Sequence, residues 1–409
     1  MTIAIIGAGP AGMIAAGYAS KKCDNVILIE HNDRVGKKLG ITGKGRCNIT
    51  NIAKTEDMIN QYPRNAKFLY SALYSFTNYD IINLLESLGV KTKVERGGRV
   101  FPVSDKASDV VRALRSFAMS DNVKLMTANA KELIIRDSKC VGVKTDKGTV
   151  KADKVILATG GKSYPKTGST GDGYRMAKNA GHTVTPIKPS LVPIVTKEKW
   201  VRDIMGLSLK NVAVTAYKNG KPVYEDFGEM MFTHFGVTGP VILSMSSHLR
   251  DIKDGNYTIK IDLKPALDNE KLDARLLRDF EKYKKKQLIN SLGDLLPKAL
   301  IGVIIRLSGV DERKAVCELS KTERGALVDT IKGVTLTALD FRPIDEAIVT
   351  SGGVAVGEIN PSTMESKLVK GLYFAGEIID VDGYTGGYNL QMAYSTGYLA
   401  GVSASEELP

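Results

Sequence analysis

The stretch Thr2-Ile-Ala-Ile-Ile-Gly7-Ala-Gly9-Pro-Ala-Gly12, continued by Val26-Ile-Leu-Ile29 and Glu30, decides the fold. Ile3 to Ile6 is a short apolar run of the kind buried in parallel sheets, and the Ala-rich segment to about Lys22 reads as a helix. The second apolar run completes a strand, helix, strand unit. Between strand and helix the glycines have separate tasks. Gly7 permits the tight turn, Gly9 lets backbone approach a pyrophosphate at the helix N-terminus, and Gly12 allows close packing of helix on strand. Glu30 ends the second strand about twenty residues on, where a carboxylate accepts hydrogen bonds from an adenosine ribose. The unit predicts dinucleotide binding.

The next stretch, Gly36-Lys-Lys-Leu-Gly-Ile-Thr-Gly-Lys-Gly-Arg-Cys-Asn-Ile-Thr-Asn51, holds four glycines and four cations without an acid. It is not a P-loop, because Lys44 is followed by Gly45 where that motif needs Ser or Thr. Two later segments, Lys154-Val-Ile-Leu-Ala-Thr-Gly160-Gly161 and Gly371-Leu-Tyr-Phe-Ala-Gly376-Glu377, are similar to strands that flavoproteins of the glutathione-reductase type place beside the fingerprint. With the glycine-rich cationic loop they favour FAD over NAD. Asp382-Gly-Tyr-Thr-Gly-Gly387 then leads into a closing helix, whose free N-terminal N–H groups suit negative charge on a reduced flavin. Thr167 to Gly173 is a further glycine turn into a helix, with Asp172 as its expected cap.

The chain has 409 residues, 43% of them hydrophobic and 25% charged, so two or three structural units are expected. A formal net charge of +12 attracts polyanions such as nucleic acid. Four scattered cysteines without a C-x-x-C pair predict neither zinc nor disulfides, and four histidines show no metal-ligand spacing, so no metal is expected. There is no run of eighteen apolar residues and no cleavable leader pattern, and the reading is a cytoplasmic protein without a membrane span.

Gly40-Ile-Thr-Gly-Lys-Gly-Arg-Cys-Asn-Ile-Thr-Asn51, Phe232-Thr-His-Phe-Gly-Val-Thr-Gly-Pro240, and Ala375-Gly-Glu through Gly383-Tyr-Thr-Gly-Gly-Tyr-Asn-Leu-Gln391 resemble the BaiN/RdsA family of FAD-dependent oxidoreductases over essentially the whole chain. The resemblance implies an α/β, Rossmann-like FAD-binding domain interrupted by a β-barrel-like insert domain that carries a helical subdomain. Expected boundaries are 1–189 and 346–409 for the FAD domain, 190–263 and 332–345 for the barrel, and 264–331 for the helices. The composition agrees. Asn211 to Tyr217 and Pro222 to Tyr224 flank an Asn219-Gly220 turn, a hairpin pattern. Charged, Leu-rich helices with starts near Asp273 and Asp311 follow, and strand-like residues return at Gly333 to Leu339.

Carried onto this sequence, the cofactor set is Gly7, Gly9, Ala11, Gly12 and Glu30 in the first unit, and Lys38, Gly43, Gly45, Arg46, Cys47 and Asn48 in the cationic loop. Ala130, Thr159, Gly160, Gly161 and Asp172 join them, with Gly376, Glu377, Asp380, Gly387, Tyr388, Asn389 and Leu390 from the C-terminal segment. The implied reaction uses NAD(P)H, docking transiently because no second complete GxGxxG unit exists, to reduce a carbon–carbon double bond conjugated to a carbonyl. Family substrates include uracil of ribosomal RNA, giving dihydrouridine, and bile acid intermediates. Both need hydride at the β carbon and an acid at the α carbon. Cys47, Tyr384 and His234 are the candidate catalytic donors, with Tyr164 as a further rival; Cys47 would need a thiolate stabilised by Lys44 or Arg46. A disulfide reductase is disfavoured, since Cys47 has no partner cysteine nearby. The remaining alternative is an RNA-binding flavoprotein with structural FAD, its cations at Arg275, Arg278 and Lys282 to Lys286. The charge leans toward RNA over a steroid.

Overall fold

A computed structural model describes residues 1–249, 252–253 and 255–406. It divides into two compact units, Met1–Ser190 with Pro343–Pro409, and Leu191–Arg342.

In the first unit a five-stranded parallel sheet runs in the order Leu372–Phe374, Lys154–Leu157, Thr2–Ile6, Asn25–Glu30, Val123–Thr127. Ile3, Ala4 and Ile5 are fully buried, as a central parallel strand covered on both faces requires. The first helix, Pro10–Ala19, is apolar nearly all round because it lies between the sheet and the closing helix Tyr388–Ser405. Small residues let the two helices touch: a Cβ on Gly397 would come within 2.4 Å of the Ala11 carbonyl oxygen, and one on Gly401 within 2.6 Å of that of Ala15. An antiparallel meander, Ala130–Arg136, Lys139–Thr145 and Gly148–Lys151, carries the chain from the edge strand back to the centre. Short helices and a small sheet of Thr50–Asn51, Arg99–Pro102 and Thr92–Glu95 follow the cationic loop.

The second unit is a closed six-stranded antiparallel barrel, Ile194–Thr196, Gly236–Thr238, Lys221–Phe232, Ser208–Lys218, Tyr257–Asp262 and Val334–Phe341, the last pairing with the first. Its longest hairpin turns at Asn219 and Gly220, both with positive φ (49° and 78°), the geometry Asn-Gly favours. Helices Asn269–Lys282, Lys298–Ser308 and Lys321–Lys332 lie between the last two barrel strands and share one apolar core with them.

The helix starts differ from those read in the sequence. Asp268, not Asp273, caps the first by accepting from Lys271 N (2.8 Å), while Asp273 pairs with Arg324. No helix begins at Asp311. Its carboxylate closes a local turn with Arg313 N (3.0 Å), and the helix starts at Lys321 behind a Ser320/Glu323 capping box.

Candidate active site

Gly7, at the end of the first strand, has φ 101°, and its N–H donates to Ile29 O (2.8 Å). A Cβ there would sit 2.5 Å from the Ala158 carbonyl oxygen, and one on Gly12 1.8 Å from that of Gly7. Gly9 differs. It caps the first helix and a Cβ on it would meet nothing within 4 Å, so the helix N-terminus opens on free space. Glu30 is buried and braces the turn, accepting from Ala8 N (2.8 Å) with one oxygen and from Asn32 N and Nδ2 (2.9 and 2.7 Å) with the other. Ala130 begins the meander strand a few residues beyond Thr127, which pairs with Glu30.

The cationic loop divides its charges. Lys38 turns inward, donating to Ser163 Oγ (2.7 Å) and Glu377 Oε2 (2.8 Å), while Glu377 Oε1 accepts from Thr350 N (2.8 Å). Arg46 turns away to Glu95 and Asp105, which raise its pKa further, and stacks 4.2 Å from the Phe101 ring centroid. Gly43, Lys44, Gly45 and Cys47 all hold positive φ, with right-handed Arg46 between the last two. Cys47 itself is 0% exposed, and burial pushes its thiol up to about 12. Arg46, one of the two cations read as stabilising a Cys47 thiolate, instead serves two carboxylates, and Cys47 is buried in the core beside Tyr394.

The start of the closing helix is built by distant residues. With its amide oxygen toward the helix, Asn48 accepts from Gly387 N (3.0 Å) and donates to Thr50 O (3.1 Å). Asn51 Nδ2 donates to Gly386 O (3.1 Å), Thr50 Oγ1 to Gln391 Oε1 (2.7 Å), and Tyr62 Oη to Tyr388 O (2.8 Å). Gly387 has φ 103° and a Cβ on it would lie 2.4 Å from Thr50 backbone atoms. The Asn389 side chain accepts from Gly383 N (2.8 Å) and donates to Gly383 O (2.7 Å), fixing the loop that carries Tyr384. Tyr388, Asn389 and Leu390 occupy the first turn, where N–H groups have no intrahelical acceptor and favour negative charge.

Around this mouth lie Gly160 and Gly161, the latter packed so that a Cβ would meet Thr350 Oγ1 at 2.3 Å. Gly376 donates to Thr396 Oγ1 (2.9 Å) and faces Ala11. Asp172 is the first residue of its helix and makes no capping bond, since Gly171 takes the cap position. Its carboxyl is held below the usual range by Thr170 and then Arg175. Arg64, which no motif pointed to, bridges Asp382 and Ser351 and lies 4.0 Å from Asp380. Tyr164 stands at the start of a short turn in the same unit, whereas His234 is an exposed residue of the barrel unit, edge-on to Phe235.

The residues fit a polar dinucleotide. Thr159 Oγ1 and Asp380 Oδ1 are buried without a hydrogen-bond partner, and the Gly9 helix start faces open space. A family model described as the HI0933-like protein Rossmann domain matches residues 1–403. The chain belongs to this family. It is 33% identical over 408 residues to the 3-dehydro-bile acid delta(4,6)-reductase of Clostridium scindens, covering 99% of each chain. It is also 33% identical over 409 residues to the ribosomal RNA dihydrouridine synthase of Haemophilus influenzae, covering 98% of each. A 3-ketosteroid-delta4-(5alpha)-dehydrogenase structure from Rhodococcus jostii shares the fold at TM-score 0.51 and 15% identity, over 99% of this chain and 96% of that one. The resemblance to BaiN and RdsA thus holds at full length, and the HI0933-like chain is an FAD-dependent oxidoreductase. Among the described residues no helix is long and apolar enough to cross a membrane.

Proposed function

We propose that the protein reduces the carbon–carbon double bond of uracil in ribosomal RNA to dihydrouridine, with NAD(P)H as reductant. The observation that carries the reading is the closing-helix N-terminus, held by Asn48, Asn51 and Tyr62 with its first-turn N–H groups at the mouth of a dinucleotide fold. One relative is named a bile acid delta(4,6)-reductase and another a ribosomal RNA dihydrouridine synthase, which supports this reading, and the net charge of +12 favours the polyanionic substrate.

When bound, FAD supplies the hydride chemistry. Gly7, Gly9, Gly12 and Glu30 would hold its adenosine diphosphate end, and Lys38, Thr159, Gly160, Gly161, Glu377 and Asp380 the stretch between. The first turn at Tyr388, Asn389 and Leu390 would stabilise negative charge at its reacting end. In the net reaction NAD(P)H gives two electrons and one proton as hydride to the β carbon, and an acid of the protein adds a proton to the α carbon. Tyr384 is our assignment for that acid. It is half-buried on the loop fixed by Asn389, and its N–H donates to Gln61 O (3.0 Å). Cys47 is set aside by its burial.

Mass spectrometry of ribosomal RNA from a deletion strain tests the substrate: loss of a dihydrouridine mass shift, restored by the gene, is expected. Unchanged RNA, with turnover of a bile-acid enone by the purified protein, would establish the steroid reading instead. Tyr384→Phe should leave flavin bleaching by NAD(P)H intact and slow substrate reduction by roughly 100-fold or more; equal turnover would remove Tyr384 from the mechanism.

A further inference from the structure

The cations of the chain are not equivalent. The Lys-rich run at the end of helix Asn269–Lys282, the obvious nucleic-acid patch in the sequence, is partly neutralised from within. Lys282 bonds Asp294 (2.7 Å), Lys284 bonds Glu281 (3.0 Å), and Arg275 bonds Asp279 (2.9 Å). A different group in the first unit is gathered around a cavity. Between residues 33–41 and the helix Ala107–Ala118 lies a cavity of about 410 Å³. Arg34, Lys37, Arg112 and Arg115 line it, against the single acid Asp33.

Neither Arg34 nor Arg115 has a side-chain partner among the described residues, and both are exposed. Among the described residues Arg112 is tied to Asp109 on its own helix (3.0 Å). Ser108, Arg112 and Arg115 recur at helical spacing, so they share one face of that helix. Val35, Val111, Ile41 and Leu125 give the cavity an apolar lining. Unpaired guanidinium groups above apolar surface, with a hydroxyl nearby, match a sugar-phosphate chain, whose phosphates take bidentate Arg contacts while sugars and base edges cover carbon.

The cavity abuts the dinucleotide turn through Gly36, whose N–H donates to Ala8 O (2.9 Å), but none of Gly7, Gly9, Glu30 or Ala130 lines it. Adjacent residues of one loop serve the two sites: Lys38 turns to Glu377 and Ser163, and Lys37 lines the cavity, with Asp33 at 4.0 Å as its ion partner among the described residues.

We propose that this cavity is a docking site for the RNA phosphate backbone, placed on the outer side of the loop whose inner side carries the cofactor residues. The inference rests on the ribosomal RNA reading above. It assigns substrate affinity to Arg34, Arg112 and Arg115, and not to the acid-paired Lys282 and Lys284.

The test uses FAD-loaded full-length protein and a fluorescently labelled ribosomal RNA fragment, with anisotropy measured across a salt series. Arg34→Ala combined with Arg115→Ala should weaken binding about tenfold or more at low salt and flatten the logarithmic salt slope by roughly 1.4 to 1.8, two phosphate contacts being lost. Lys282→Ala with Lys284→Ala should change little. Flavin bleaching by NAD(P)H, read in the same samples, should be unaltered in both variants. If the wild type binds RNA and the Arg34/Arg115 variant matches it in affinity and slope, the cavity assignment is wrong while the substrate reading stands. If the wild type does not bind RNA at low salt, both fall.

Discussion

Two helices of the first unit begin at glycines and belong to the same candidate site, yet they are built in opposite ways. Pro10–Ala19 starts from a turn made by its neighbours: Gly7 bonds the adjacent strand, Gly12 clears Gly7, and Glu30 closes the turn through Ala8 N. Tyr388–Ser405 starts from a turn assembled at long range by Asn48, Thr50, Asn51 and Tyr62, more than three hundred residues upstream. The first start is a steric device and the second a hydrogen-bonded one. Damage to the first should therefore remove the fold, and damage to the second should loosen one end of it.

Gly12→Ala is expected to have the largest effect, because its Cβ would lie 1.8 Å from a backbone oxygen that the turn cannot move. A loss of about 4 kcal/mol or more, read as failure to purify folded or as a large fall in urea midpoint, is the expected outcome. Gly387→Ala adds a Cβ 2.4 Å from Thr50 backbone at φ 103°, but at a helix end that can shift. It should fold, with about 1–3 kcal/mol less stability, and hold FAD less tightly in a flavin-release titration. Equal losses in the two variants would erase the distinction. Thr50→Val is the milder probe. It leaves the Gln391 amide oxygen without its buried donor and should cost about 1–3 kcal/mol by urea unfolding.

The same contrast explains what could be read in advance. The first unit was legible because strand, turn, helix and acid are contiguous, each with its own local pattern. The barrel's main hairpin was legible for a similar reason, since Asn219-Gly220 states its own turn type. The ties of the closing helix were not. An Asn in a loop carries no mark of which distant N–H it will meet, and Arg64 stands in a segment without motif although it joins Asp382 and Ser351. Charge misled in the same way. Composition reports that cations are present, but only three-dimensional pairing shows that Arg46 and Lys282 are committed to carboxylates while Arg34 and Arg115, among the described residues, are not.

The smallest expected effect concerns Cys47, which links the two halves of the comparison by leading from the cationic loop to Asn48. Its folded thiol is raised from the ordinary value of 9.0 to about 12, chiefly by burial, with the Thr42 hydrogen bond opposing. The sign follows from proton binding. Between about 9 and about 12 the unfolded thiol has lost its proton and the folded one has kept it, so the unfolded state binds fewer protons and stability falls as pH rises through that window. Cys47→Ala should flatten this alkaline decline, measured as the slope of unfolding free energy against pH, although the smaller side chain lowers stability at every pH. Iodoacetamide at pH 8 should label Cys47 only after unfolding, whereas exposed Cys317 reacts in the native protein. Rapid native labelling of Cys47 would mean that the loop opens, and would return the thiol to the list of proton donors beside Tyr384.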